Sequence, residues 1–96
     1  MSLDLSDSRR KIDSIDRQLL DLLNERMRVS RDIVLAKREK GLPVFDAERE
    51  DALLAKLSGT NPGPLSPDGI RRIWMSIMGE SRIHQALAAD PAKDRR

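Results

Sequence analysis

Residues 8–40, SRRKIDSIDRQLLDLLNERMRVSRDIVLAKREK, decide the fold of this chain. Within them, residues spaced alternately by three and four form one stripe: Ile12, Ile15, Leu19, Leu22, Arg26, Val29, Ile33 and Ala36. A stripe of this period sustained over more than three heptads is typical of a helix with a coiled-coil-like seam. It predicts a helix over about residues 7–40, with Ser6 or Asp7 as the N-cap and Gly41 at its end.

The length of this helix has a geometric consequence. At a rise of about 1.5 Å per residue it forms a rod of roughly 50 Å. A compact chain of 96 residues would have a radius of gyration of only about 12.5 Å. The other helices are too short to cover the rod, so the stripe is expected to pack against a second copy. The sequence therefore predicts an intertwined helical homodimer.

Two further helices follow. Asp46 is a plausible N-cap for a short helix over about 47–58, and Ser66 with Pro67 begins a medium helix over about 67–89. The apolar stripe of this last helix includes two polar residues: Ile70, Ile73, Trp74, Ile77, Met78, Ser81, Gln85 and Ala88. The prediction is a single all-α domain over residues 1–96, with a disordered tail at about 91–96.

Composition narrows the function. The chain has only two aromatic residues, no Cys and one His, which disfavours a β domain and excludes Cys-based zinc sites, disulfides and thiol nucleophiles. The net charge of +2 comes from interleaved basic and acidic residues, so no nucleic-acid partner is expected. No membrane span and no signal peptide are recognisable, which predicts a cytoplasmic protein, and residues 1–3 are compatible with a leader from an expression vector.

Three basic residues are candidates for binding an anion. Arg26 interrupts the apolar stripe, where a buried guanidinium needs an acid, a carbonyl or an anionic ligand. Lys37 lies eleven residues later, only about 20° away around the helix, so both can reach one anion. Arg9 lies about 100° away from Arg26, so its partner is expected across a dimer interface. As alternatives to anion binding, Arg26 would form an intersubunit salt bridge or set the register, and Lys37 and Arg9 would be solvated charges.

Polar residues on the other two helices complete the set. Ser81 and Gln85 lie one turn apart within an apolar stripe, where neighbouring helices commonly satisfy such groups. Asp46, Arg49 and Glu50 lie at the start of the second helix, where capping alone accounts for acids. Taken together, these residues predict a cavity for a small, multiply anionic, hydroxylated ligand. Positioning and electrostatics are available there, without metal, cofactor or covalent chemistry.

In order and spacing, these residues resemble the all-helical, intertwined-dimer class of chorismate mutase. The resemblance covers roughly residues 5–90 and is carried by RRKIDSID (9–16), LLDLLNER (19–26), AK (36–37), PVFDAERE (43–50) and ESRIHQ (80–85). It implies an isomerase of aromatic amino acid biosynthesis that converts chorismate to prephenate in a cofactor-free [3,3] rearrangement.

The resemblance also implies roles for individual residues. Arg26 and Arg9 would hold the two substrate carboxylates, with Arg9 contributed by the partner subunit. Lys37 would contact a carboxylate and the ether oxygen of the breaking bond, to which Gln85 also donates. Glu50 would accept from the ring hydroxyl, with the backbone near Asp46 assisting, and Ser81 and Arg49 would take ring-carboxylate and supporting positions.

Two alternatives remain at this stage. An isochorismate-pyruvate lyase on the same scaffold would share the Arg and Lys clamps, but the hydroxyl of isochorismate lies elsewhere on the ring, so Asp46 and Glu50 favour the mutase. A non-catalytic helical dimerisation or regulatory module would have little reason to place Arg26, Ser81 and Gln85 inward.

Overall fold

A computed structural model describes residues 4–89 of the chain. They form three helices, α1 (Leu5–Glu39), α2 (Ala47–Thr60) and α3 (Pro67–Ala89), and this described part contains no strand. The all-α prediction, with one very long, one short and one medium helix, is confirmed. The predictions for residues 1–3 and for the tail at 91–96 lie outside the described residues.

Both ends of α1 have defined caps. The N-cap is Asp4 rather than Ser6 or Asp7, because the Asp4 carboxylate accepts from the backbone N–H groups of Ser6 (2.9 Å) and Asp7 (3.3 Å). At the other end, Leu42 N–H donates to the Lys37 carbonyl at 2.8 Å, and Gly41 N–H donates to the Arg38 carbonyl at 3.1 Å. This is a Schellman motif, which requires the positive φ of 67° that Gly41 adopts.

The two shorter helices begin as predicted. Asp46 caps α2 by accepting from the Arg49 N–H at 3.1 Å, and the Ser66 hydroxyl accepts from the Gly69 N–H at 2.9 Å at the start of α3. Helix α2 continues to Thr60, two residues beyond the predicted end at Ser58. The Thr60 hydroxyl donates to the Lys56 carbonyl at 2.9 Å within this last turn.

Helix α3 is the centre of the packing. It packs against both α1 and α2, whereas α1 and α2 do not pack on each other within residues 4–89. The buried apolar core is small and consists of Val34, Leu54, Ile70 and Met78. None of the helices in this range is long and apolar enough to cross a membrane.

The apolar stripe of α1 is not what packs inside the chain. The α1 residues that become buried are Ser30 and Val34, on a neighbouring face of the helix. The large apolar members of the stripe remain between 43% and 60% exposed: Ile12, Ile15, Leu19, Leu22, Val29 and Ile33. The chain is correspondingly elongated, 60 × 34 × 16 Å with a radius of gyration of 17.2 Å. This apolar surface has no partner within the described chain.

Candidate active site

A cleft of about 240 Å³ lies between the C-terminal half of α1, the loop before α2, the first half of α2 and the middle of α3. Seven of the eight predicted site residues line it: Arg26, Lys37, Asp46, Arg49, Glu50, Ser81 and Gln85. Apolar side chains complete the walls: Val29, Ile33, Val44, Phe45, Leu53 and Met78. Concave sites that combine apolar walls with convergent polar groups are typical of small-molecule binding.

Helix α1 provides the cationic wall. Arg26 and Lys37 are three turns apart on nearly the same face, so about 16 Å of helix separates their backbones. Arg26 Nη1 donates to the Ser81 hydroxyl at 2.6 Å, which fixes the guanidinium against α3. Lys37 Nζ donates to the Val44 carbonyl at 3.1 Å and so connects α1 to the loop before α2. Both cations thus have partners and still line the cleft.

Helix α3 forms the base of the cleft. Ser81 is buried and is the acceptor for Arg26. Gln85 Nε2 donates to the Ser30 carbonyl of α1 at 3.3 Å. Ser81 and Gln85 are therefore both hydrogen-bonded to a neighbouring helix, α1, as is common for polar residues in an apolar stripe. The Gln85 amide has two N–H donors, so this bond orients the side chain and leaves one donor over.

Helix α2 contributes the acidic wall. Asp46 has the capping role that its position predicted. Glu50 meets a partner that the sequence reasoning missed, since Arg82 Nη1 donates to both of its carboxylate oxygens, at 2.8 and 2.6 Å. Arg82 also lies over the Phe45 ring, 5.5 Å from Cζ to the ring centroid. No sequence pattern marks Arg82, because it lies beside the apolar stripe of α3, although it directly follows Ser81.

Arg9 does not line this cleft. It is exposed near the start of α1, seventeen residues before Arg26 and hence about 25 Å from it along the helix axis. Within residues 4–89, no residue from the N-terminal half of α1 lines the cleft. The expected contribution of Arg9 from a partner subunit stays a prediction.

The charge of the cleft favours an anion. Four cationic side chains line it, and of its two acidic side chains Asp46 caps a helix and Glu50 is paired with Arg82. Within the described residues, no group of three or more His, Asp or Glu side chains is placed to hold a metal ion. Fold and site together define a class of protein, an all-helical domain with an amphipathic, cationic cleft for a small polyanion.

Comparison with known proteins identifies the family. Residues 8–86 match the family chorismate mutase type II, and the chain belongs to this family. It is 37% identical over 75 residues to a bifunctional chorismate mutase/prephenate dehydratase of Pseudomonas aeruginosa, covering 73% of this chain and 20% of that protein. It is 35% identical over 82 residues to the T-protein of Haemophilus influenzae, covering 84% of this chain and 22% of that protein. The chain thus spans about a fifth of the length of these relatives.

Among solved structures, the chain is similar to chorismate mutase (form II) from Thermus thermophilus. The TM-score is 0.83 at 34% sequence identity, covering 85% of this chain and 93% of that one. The resemblance noted from the sequence motifs is therefore confirmed at the level of family and fold.

Proposed function

We propose that this chain is a chorismate mutase that isomerises chorismate to prephenate in aromatic amino acid biosynthesis. The observation that carries the proposal is that Arg26, Lys37 and Gln85 line one cleft of about 240 Å³. Chorismate is a small dianion with a ring hydroxyl and an ether oxygen, which matches the charge and the donors of this cleft. Membership of the chorismate mutase type II family supports the same conclusion.

The rearrangement needs no nucleophile and no cofactor. One C–O bond breaks while one C–C bond forms within the same molecule, so atoms and electrons balance without a co-reactant. The protein has to hold the enolpyruvyl group over the ring and stabilise negative charge that develops on the ether oxygen. Fixed donors in a cleft with apolar walls accomplish both, because charges interact more strongly there than in water.

The cationic wall supplies the positioning. We propose that Arg26 binds one substrate carboxylate, since its planar guanidinium forms two parallel hydrogen bonds to such a group. Its bond to the Ser81 hydroxyl, 2.6 Å long, holds the guanidinium in place before the substrate binds. Ser81 then supports the ring carboxylate, and Arg49 supports it from the α2 side.

Lys37 and Gln85 act on the breaking bond. Both lie on the same cleft, one on α1 and one on α3, so they can approach a single ether oxygen from two helices. The second N–H of Gln85 remains for this oxygen while the first is bound to the Ser30 carbonyl. Glu50 accepts from the ring hydroxyl, with the backbone near Asp46 assisting.

A second copy of the chain completes the site in this proposal. The exposed stripe of α1 has no cover within the described residues, and a homodimer would bury it. In the same arrangement Arg9 of one chain would reach the cleft of its partner and bind the second carboxylate. The cytoplasmic location expected from the sequence stays a prediction.

The test is an absorbance assay for the loss of chorismate by the purified protein, with prephenate identified by its acid conversion to phenylpyruvate. Turnover to prephenate is the expected result. Release of pyruvate from isochorismate without chorismate turnover would indicate the lyase instead. No turnover of either compound by a folded dimer would indicate a non-catalytic helical module.

A further inference from the structure

Arg82 of α3 bonds to Glu50 of α2 at the cleft. A single nitrogen, Nη1, lies 2.8 Å and 2.6 Å from the two carboxylate oxygens of Glu50. The face of the Phe45 ring lies beneath the same guanidinium, 5.5 Å from Cζ to the ring centroid. The side chains of Arg82 and Glu50 are 40% and 23% exposed, so the pair sits at the edge of the cleft and is neither fully buried nor free in solvent.

The packing of the helices makes this contact consequential. Because α1 and α2 do not pack on each other within residues 4–89, the position of Glu50 relative to the cations of α1 depends on α3 and on the Lys37–Val44 bond before α2. Arg82 lies on α3 directly after Ser81, the residue that holds Arg26. One short segment of α3 therefore orients the cationic wall with one side chain and the acidic wall with the next.

The charges explain why Glu50 needs such a partner. Glu50 lines the same cleft as Arg26, Lys37 and Arg49, and attraction to several cations would leave its carboxylate without a single orientation. Arg82 bonds both oxygens of Glu50 and thereby fixes the orientation of the carboxylate. An ionised carboxylate has about four lone-pair sites, so those that Arg82 leaves can still accept a hydroxyl proton.

We propose that Arg82 is a positioning residue that orients the Glu50 carboxylate as the acceptor for the ring hydroxyl. The inference rests on the proposed function, because the ring hydroxyl belongs to that substrate. Arg82 acts through Glu50, and its effect is therefore specific for substrates that carry this hydroxyl.

The experiment compares Arg82→Met, which retains an apolar stem against Phe45 but has no charge, with Arg82→Lys. A hydroxyl contact made equally in the ground state and the transition state affects KM and leaves kcat nearly unchanged. We expect Arg82→Met to raise KM about tenfold with kcat within about threefold of wild type, since a misplaced binding group costs up to about 100-fold. Arg82→Lys should recover most of this loss, because one nitrogen makes both bonds to Glu50. Arg72→Ala, an exposed arginine of the same helix outside the cleft, is the matched control and should behave as wild type.

Two further measurements distinguish positioning from a general structural effect. If Arg82 acts through Glu50, the double variant Glu50→Ala/Arg82→Met should be no worse than Glu50→Ala alone. A chorismate analogue that lacks the ring hydroxyl should inhibit wild type and Arg82→Met with the same inhibition constant. Should Arg82→Met fail to fold, Arg82→Gln replaces it in each comparison.

The outcomes separate the two proposals. A wild-type protein without chorismate turnover would contradict the proposed function. If the wild type is active, three results would overturn the role of Arg82 alone. These are an unchanged KM in Arg82→Met, multiplicative losses in the double variant, and a hydroxyl-free analogue whose binding to Arg82→Met is weakened as much as that of chorismate.

Discussion

Replacing Lys37 with alanine tests the proposed chemistry most directly. The side chain is partly buried on the cationic wall, and its ammonium group donates to the Val44 carbonyl at 3.1 Å. The substitution therefore removes a charge from the cleft and a connection between α1 and the loop before α2. These two losses affect different quantities and can be measured separately.

The catalytic loss follows from the charge that Lys37 is proposed to stabilise. Removing one preorganised donor from a developing oxyanion costs about 2.7–4 kcal/mol, or roughly 10²–10³ in kcat. The stability loss follows from the hydrogen bond to Val44. A bond from a charged donor that is still partly solvated is worth about 1 kcal/mol, which lowers Tm by about 4–8 °C in a domain of this size. We therefore expect Lys37→Ala to be folded at 25 °C and to lose most of its kcat.

The measurement combines steady-state kinetics of chorismate loss with thermal unfolding followed by circular dichroism. Lys40→Ala is the matched control, because Lys40 is an exposed lysine three residues later that does not line the cleft. It should retain wild-type kcat and KM. A folded Lys37→Ala with kcat within threefold of wild type, or with a loss confined to KM, would refute the role of Lys37 at the breaking bond.

Gln85, Arg9 and Leu19 each allow a further test. Gln85→Glu should be poor near pH 7 and gain activity as the pH falls toward the ordinary pKa of glutamic acid, about 4.3, because only the protonated carboxyl donates; parallel pH–rate profiles of variant and wild type between about pH 4 and 8 would contradict this. Mixing inactive Arg9→Ala with inactive Lys37→Ala should restore up to about a quarter of wild-type activity, since half of the randomly formed dimers hold one intact site; no recovery would indicate that Arg9 acts within its own chain. Leu19→Glu places a charge on a side chain that is 51% exposed in one chain and buried in the proposed dimer, so light scattering should detect monomers; an undisturbed dimer would contradict the proposed interface.

The fold could be predicted because its signals are local. The seam of α1, the cap at Asp46 and the Ser66-Pro67 start of α3 each depend on residues within a few positions of one another. The packing of one helix against another depends on residues far apart in the sequence, and the prediction of this packing was incomplete. The face of α1 that becomes buried against α3 includes Ser30, a polar residue that carries no apolar signal.

In the site, too, the residues themselves could be predicted from the sequence, whereas their hydrogen-bond partners could not. Arg26, Ser81 and Gln85 are conspicuous because each interrupts an apolar stripe. Gln85 and Lys37 donate to the backbone carbonyls of Ser30 and Val44, and every residue has a carbonyl, so no sequence pattern marks these two. The Arg82–Glu50 pair spans 32 positions in a chain with 18 basic and 16 acidic residues, which offers too many combinations for one to be selected.

The apolar stripe and the cleft share residues, and this sharing relates assembly to catalysis. Val29 and Ile33 belong to the exposed stripe of α1 and also line the cleft, and Arg26 lies between them and Leu22 on the same helix. A second chain that covers the stripe must therefore also border the cleft and exclude water from its cationic wall. Exclusion of water strengthens the electrostatic interactions on which the proposed rearrangement depends. A monomeric Leu19→Glu variant should consequently lose activity although Leu19 does not line the cleft, and its activity should return at protein concentrations high enough to restore the dimer.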